Sequence, residues 1–355
     1  MGVAVEGVRP GAGRVGLKVG RFAAVVVALG LACAIGLLVG KASLEPGTVL
    51  AILLSRLPFF EVVPWWPASH ETILLEIRMP RVAMGALVGA GLSVAGATYQ
   101  GLFRNPLADP YLVGVAAGAG LGATLAMVLP LPPALYYLGA VQLAAFVSAL
   151  ATVAVVYSLS RVGGTTPVTT LLLAGVAVGS LASAATAFVM YAHGDKLAVI
   201  YGWMLGGFNT TSWRQVALVF PYVAAAAVTI SLLGRVANVL QLDDDQARSL
   251  GIDADAVRLV LVVCATLSTA AAVSATGLIG FVGLAVPHVV RLLWGPDHRS
   301  LIPLSALVGA AFLVVADAGA RLIPGPQDIP VGVITAFCGA PFFLHLLRQQ
   351  KRSVF

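Results

Sequence analysis

The run Ala306-Leu-Val-Gly-Ala-Ala-Phe-Leu-Val-Val-Ala-Asp317-Ala-Gly-Ala320 carries one charge in an otherwise apolar stretch. Runs of this kind recur about ten times along the chain, and about 20 apolar residues suffice for a helix to cross a bilayer. Asp317 is the one acid in them expected at membrane depth. The composition agrees: of 355 residues, 59% are hydrophobic and 10% charged, and the mean hydropathy is +0.97. A water-soluble chain of this length needs more charge to cover its surface. The chain therefore reads as an all-α, polytopic membrane protein.

The expected spans are 21–41, 81–102, 111–129, 135–160, 169–191, 214–235, 258–276, 279–294, 303–322 and 331–348. They form one transmembrane domain over 21–355, behind an N-terminal tail at 1–20. Arg9, Arg14, Lys18 and Arg21 precede the apolar run Phe22–Val39, which is longer than a signal-peptide core, so a retained first helix is expected. Ten spans place both termini on one side. Of the 21 Lys and Arg residues, 14 fall on that side, among them Arg104, Arg161, Arg235, Arg248, Arg299, Arg348 and Lys351. The other seven are Lys41, Arg56, Arg78, Arg81, Lys196, Arg214 and Arg321. The positive-inside rule then makes both termini cytoplasmic. The net charge of +6 is read as this retained charge and not as a nucleic-acid footprint. One sizeable outer loop is expected, 42–80, with Trp65 and Trp66 at the interface. Cys33, Cys264 and Cys338 sit in separate apolar runs and form neither a disulfide framework nor a metal site.

Four constellations stand out. Arg78-Met-Pro-Arg81 opens the second span. Pro80 suits the first helical position. Arg81 would then lie in the first turn, where a cation is disfavoured by the helix dipole and an anionic partner is sought. Arg321, at the outer end of the ninth span, is placed to join them; snorkelling to lipid phosphate is the plainer alternative. The second is the inner stretch Leu242-Asp243-Asp244-Asp245-Gln246-Ala247-Arg248-Ser249-Leu250-Gly251. Asp243 suits a cap, Asp244 and Arg248 an i,i+4 pair, and Gly251 a left-handed terminus. Val239, Leu242, Ala247 and Leu250 are then available to a partner, or to lipid headgroups. The third is the fifth span, with Gly175-x-x-x-Gly179 and then Ser180, Ser183 and Thr186. Gly179, Ser183, Thr186 and Met190 share a face that either packs or lines a pathway. The fourth is the rigid inner turn Gly101-Leu-Phe-Arg-Asn-Pro-Leu-Ala-Asp-Pro110, a docking surface or a plain connector. The eighth span begins in Gly277–Gly283. A broken helix there requires cover from protein or from a water-lined cavity.

The chain has no Gly-x-x-x-x-Gly-Lys-Ser/Thr and no His-Glu-x-x-His. It is read as neither an ATPase nor any other enzyme, with no metal or cofactor of its own. His288, after Pro287, reads as a packing residue.

Several tracts together resemble the FecCD-type permease family, the membrane subunits of binding-protein-dependent ABC importers for iron chelates, haem and cobalamin. They are Arg78–Arg81, Gln100–Pro110, Leu171-Leu-Leu-Ala-Gly175, Gly280-Phe-Val-Gly-Leu-Ala-Val-Pro-His288, Gly295-Pro-Asp-His-Arg299, Asp328-Ile-Pro-Val-Gly332 and Gly339-Ala-Pro341. The resemblance implies the type II importer architecture in the inner membrane, as two copies around a central pathway. It implies two cytoplasmic ATPase subunits and a periplasmic or lipid-anchored binding protein that delivers the metal chelate. It assigns docking of that protein to Arg78, Arg81 and Arg321. It assigns an inner constriction to Val168 and Thr169 and the pathway wall to Gly179, Ser183, Thr186 and Met190. It makes Asp243, Asp244, Ala247, Arg248, Leu250 and Gly251 an ATPase-coupling helix. Asp328-Ile329 departs mildly from the family's usual Glu-Leu. Tyr201-Gly-Trp-Met-Leu-Gly-Gly-Phe208 is closer to cobalamin permeases than to many siderophore permeases. An ion-coupled secondary carrier is the alternative, and an intramembrane enzyme a further rival.

Overall fold

The computed structural model describes residues 12–163, 165–241, 244–325 and 328–352. The helices of six residues or more, in chain order, are α1 (Ala12–Leu38), α2 (Pro46–Ser55), α3 (Ala68–Leu102), α4 (Val115–Val128), α5 (Ala140–Ser160), α6 (Val168–Ala192) and α7 (Leu197–Met204). After them come α8 (Trp213–Leu232), α9 (Gly234–Val239), α10 (Asp244–Ser249), α11 (Ala254–Thr276), α12 (Val282–Trp294), α13 (His298–Leu322) and α14 (Val331–Arg352). A 3₁₀ turn, Pro110–Val113, leads into α4. Among the described residues, seven helices are long and apolar enough to cross a membrane: α1, α3, α5, α6, α8, α11 and α13. The expected third, eighth and tenth spans are the shorter apolar helices α4, α12 and α14. Below, the end of the bundle at which α1 begins and α14 ends is the terminus end, and the opposite one the far end.

Helix α3 is the axis of the bundle. Of its apolar window, 78% is buried, against 22% for α5, α6 and α8, which turn most of their surface outward. It packs on α13, α11, α12 and α8. Its small residues make this possible: a Cβ added to Gly96 would strike the carbonyl of Gly283. With no hydrophobic drive between helices in lipid, such close backbone approach is a main source of packing energy.

Two features of the far end differ from the sequence reading. The segment 42–80 is largely structured, because α2 folds within it and α3 starts at Ala68. Pro80 is therefore not the first residue of its helix, and Arg81 is not in a first turn. The π-helical segment Ile73–Arg78 precedes it, and the Met79 amide bonds the Leu74 carbonyl five residues back. A proline removes one rung of the i→i−4 ladder, and the π slip absorbs that loss without ending the helix. The second difference is α7, which folds in the connection between α6 and α8 where none was expected.

Candidate functional site

Two non-helical segments enter the bundle and meet. One is the turn Arg104–Val113 and the other is Gly277–Phe281, so α4 and α12 both begin inside the fold. Arg104 and Phe281 adopt φ of 49° and 67°, in the left-handed region. The Tyr111 hydroxyl donates to the Ile279 carbonyl at 2.9 Å and accepts from the Ile279 amide at 3.2 Å. The Gly207 amide donates to the Thr276 carbonyl at 2.8 Å. The broken backbone before α12 is thus covered by protein, the condition that non-helical chain at membrane depth must meet. In the first segment, Asn105 Oδ1 accepts from the Leu107 amide and Asp109 Oδ1 from the Tyr111 amide.

Beside this junction lies a cavity of about 640 Å³ along one face of α6. Gly179, Ser183, Thr186 and Met190 line it, with Ser180, Tyr111, Leu112, Met204 and Leu278. The two readings of that face divide along the helix. Gly175 borders the cavity too but packs tightly on its far side, since a Cβ there would strike the Leu112 carbonyl, whereas a Cβ on Gly179 meets only ordinary contacts. No lining side chain is charged. The Thr186 hydroxyl bonds the Ala182 carbonyl of its own helix at 2.9 Å. Val168 and Thr169 stand in the first turn of α6, about two turns toward the terminus end from Gly175, and do not line the cavity. Tyr111, Met204 and Leu278 were not assigned to the pathway in the sequence reading. Their signal was the Gly- and Pro-rich breaks beside them, at Pro106–Pro110, Gly202–Gly207 and Gly277–Gly280.

At the far end Arg78, Arg81 and Arg321 gather in a buried cluster, with 4%, 9% and 8% of their surfaces exposed. The anionic partners that the sequence asks for are found inside the chain. Arg81 donates from Nε and Nη2 to Asp317 at 2.8–3.0 Å and from Nη1 to Asp328 at 2.8 Å. Arg321 pairs with Asp317 at 3.2 Å and donates to the carbonyls of Gly36 and Val39. Arg78 donates to the carbonyls of Leu37, Leu38 and Ala42, where α1 ends. A helix C-terminus presents unsatisfied carbonyls and a negative dipole end, so a guanidinium is well placed there. Lys41 adds an ion pair to Asp328 at 3.3 Å. Asp317 is thus the centre of a structural network at the far end.

Burial raises the Asp328 carboxyl, but hydrogen bonding to Arg81 and the charges of Arg81 and Lys41 outweigh it, and its pKa lies below the usual value. A depressed carboxylate pKa contributes stability that is present above the unfolded value and is lost as pH falls through the folded one. Asp328→Asn is expected to lower the melting temperature by a few degrees at neutral pH. It should also flatten the acid limb of the melting curve below about pH 4. An acid limb as steep as that of the natural chain would refute the pairing.

At the terminus end, α10 closes in a left-handed Gly251 at φ 77°, and the Ile252 amide bonds the Ala247 carbonyl at 3.1 Å. This is the expected glycine terminus in its six-to-one form. Asp243 lies outside the described residues, as do the side chains of Asp244 and Arg248. Ala247 is fully buried and not available to a partner, a correction to the sequence reading; Leu250 is 64% exposed. The approach to α10 is tied to the bundle. Arg104 donates twice to the Leu240 carbonyl, and Asn238 bonds Asp297 and His298. His288 is a packing residue: it is buried and meets the ring of Phe342 edge-on, 6.2 Å between centroids. No group of three potential metal ligands occurs among the described residues.

A broken-helix bundle with an uncharged cavity at the break is the architecture of a polytopic transport protein. The chain belongs to the FecCD transport family, whose model matches residues 27–349. It is 45% identical over 285 residues to the cobalamin import system permease protein BtuC of Halobacterium salinarum, covering 80% of this chain and 76% of that one. It is 39% identical over 284 residues to the hemin transport system permease protein HmuU of Yersinia pestis, covering 79% and 84%. Among solved structures it is similar to a chain of a transporter assigned to the metal-chelate ABC type, in an inward-facing conformation. That likeness has a TM-score of 0.79 at 29% identity and covers 92% of this chain and 98% of the other.

Proposed function

We propose that this chain is the permease subunit of a binding-protein-dependent ABC importer for a bulky metal chelate, an Fe(III)-siderophore, haem or cobalamin. The observation that carries the reading is the uncharged cavity on α6. It is walled by α4, α6 and the breaks beside them and opens outward, as half of a pathway completed by a second copy would. The resemblance of Tyr201–Phe208 to cobalamin permeases and the identity to BtuC favour a corrinoid within the class. Val168 and Thr169 form the inner constriction. The chain sits in the inner membrane with both termini cytoplasmic, and carriage is alternating access, biased by cargo affinity for one state. The chain performs no catalysis.

Two ATPase subunits grip the terminus end at α10, with exposed Leu250 as the contact. A periplasmic or lipid-anchored binding protein docks at the far end. Within the cluster Arg78, Arg81, Arg321 and Lys41 outnumber Asp317 and Asp328 by four to two, a local positive excess for acidic partner residues, although the far end as a whole carries as many acids as bases and the guanidiniums are engaged internally. The ion-coupled alternative loses its one deep acid, because Asp317 is held by two arginines.

The test is uptake by proteoliposomes carrying the permease with its ATPase and binding protein. Leu250→Asp is expected to cut uptake by about tenfold or more, as loss of a central apolar contact does. ATP hydrolysis by the ATPase should persist. Unchanged coupled uptake would remove Leu250 from the interface. Uptake by the permease alone on an ion gradient would overturn the reading as a whole.

A further inference from the structure

A second cavity, of about 550 Å³, lies on a different face of the bundle, at the far end. Helices α5 and α8 each pack on α11 and scarcely on one another, so a wedge opens between them. Its floor is made of small side chains of α11, Ala271, Ser274 and Ala275. About two turns below the rim the rings of Phe146 and Tyr222 meet at 5.2 Å across the wedge. Leu143 and Leu218 flank it, 64% and 59% exposed, on helices whose apolar surface faces outward.

The rim is polar, with Arg214 its one cation and no acidic side chain in the lining. Arg214 is exposed and makes no ion pair among the described residues; there its guanidinium donates to the Tyr137 carbonyl, at 3.4 Å. It also stands in the first turn of α8, where the helix dipole disfavours a cation. An anion above the wedge would relieve both conditions.

We propose that this wedge binds an anionic phospholipid. The phosphodiester sits on Arg214, and one acyl chain lies between α5 and α8 over the Phe146–Tyr222 pair. The apolar walls give a free phosphate ion nothing to contact, whereas they suit a chain that covers them. The lining offers no carboxylate to pair with the ammonium of a zwitterionic headgroup. Charge-assisted hydrogen bonds between guanidinium and phosphate supply the selectivity. The site is separate from the α6 cavity, so it stands whatever the cargo is.

Native mass spectrometry of the purified full chain, released from mixed phosphatidylglycerol and phosphatidylcholine, tests this. The natural chain is expected to retain phosphatidylglycerol in preference. Arg214→Ala, at an exposed position where folding is unaffected, should lower that retention about tenfold, the worth of one hydrogen bond to a charged group. Arg214→Lys should restore part of it. Equal retention of the two lipids, or phosphatidylglycerol retention unchanged in Arg214→Ala, would overturn the proposal. So would binding of water-soluble glycerophosphoglycerol as tight as that of the intact lipid, which would make this a site for a soluble phosphodiester.

Discussion

Asp317→Ala is expected to abolish the folded permease. The carboxylate is 3% exposed and holds two guanidiniums, Arg81 and Arg321, that are themselves 10% and 5% exposed at the side chain. Removing one partner of a buried pair leaves an uncompensated charge and costs about 3–5 kcal/mol. Domain stabilities are commonly only about 5–15 kcal/mol in total, so such a loss is decisive. The measurement is the yield of monodisperse protein in detergent and its unfolding temperature. The paired variant Arg81→Met with Asp317→Leu removes both charges of that pair together and should recover part of the loss. Arg321 then keeps the carbonyls of Gly36 and Val39, and Arg78 those of Leu37, Leu38 and Ala42. An Asp317→Ala protein as stable as the natural chain would show that the arginines are hydrated in the membrane, and the network would lose its structural role.

The same cluster shows where local reading of the sequence reaches its limit. Ten apolar runs mapped onto ten helices because length and hydropathy are properties of one segment at a time. Pro80 misled because a proline preceded by polar residues reads as a helix start. Glu71, Glu76 and Arg78 lower the hydropathy upstream, and nothing in the local pattern announces a π slip that carries the helix back to Ala68. Arg78, Arg81 and Arg321 were recognised as a group that wanted anions. That the anions were Asp317 and Asp328, and that the remaining partners were neutral carbonyls at the end of α1, depended on packing between helices distant in sequence. The Tyr111–Ile279 pairing joins two breaks 168 residues apart and has no counterpart in any single segment. Gly251 was legible because a helix terminus is local chemistry. Ala247 was not, since its burial comes from the neighbours that α10 lies against.

The pair Gly175 and Gly179 separates packing from pathway most sharply. The sequence offers them as equivalent members of one small-residue motif. A Cβ on Gly175 meets the Leu112 carbonyl and lies 3.1 Å from Val113 Cα, backbone that cannot give way cheaply. Gly175→Ala is therefore expected to cost about 1–3 kcal/mol through overpacking against the turn that leads into α4. A Cβ on Gly179 finds only ordinary contacts, Gly114 Cα at 3.8 Å and Ala117 Cβ at 3.9 Å, at the edge of the 640 Å³ cavity. Gly179→Ala should leave folding and uptake intact. Gly179→Trp should leave folding intact and stop uptake, because the indole occupies space that the cargo must cross. Melting temperature and reconstituted uptake, measured on all three variants, read the two effects apart. Full uptake in a folded Gly179→Trp protein would take α6 out of the pathway, and with it the main support for the chelate-importer reading.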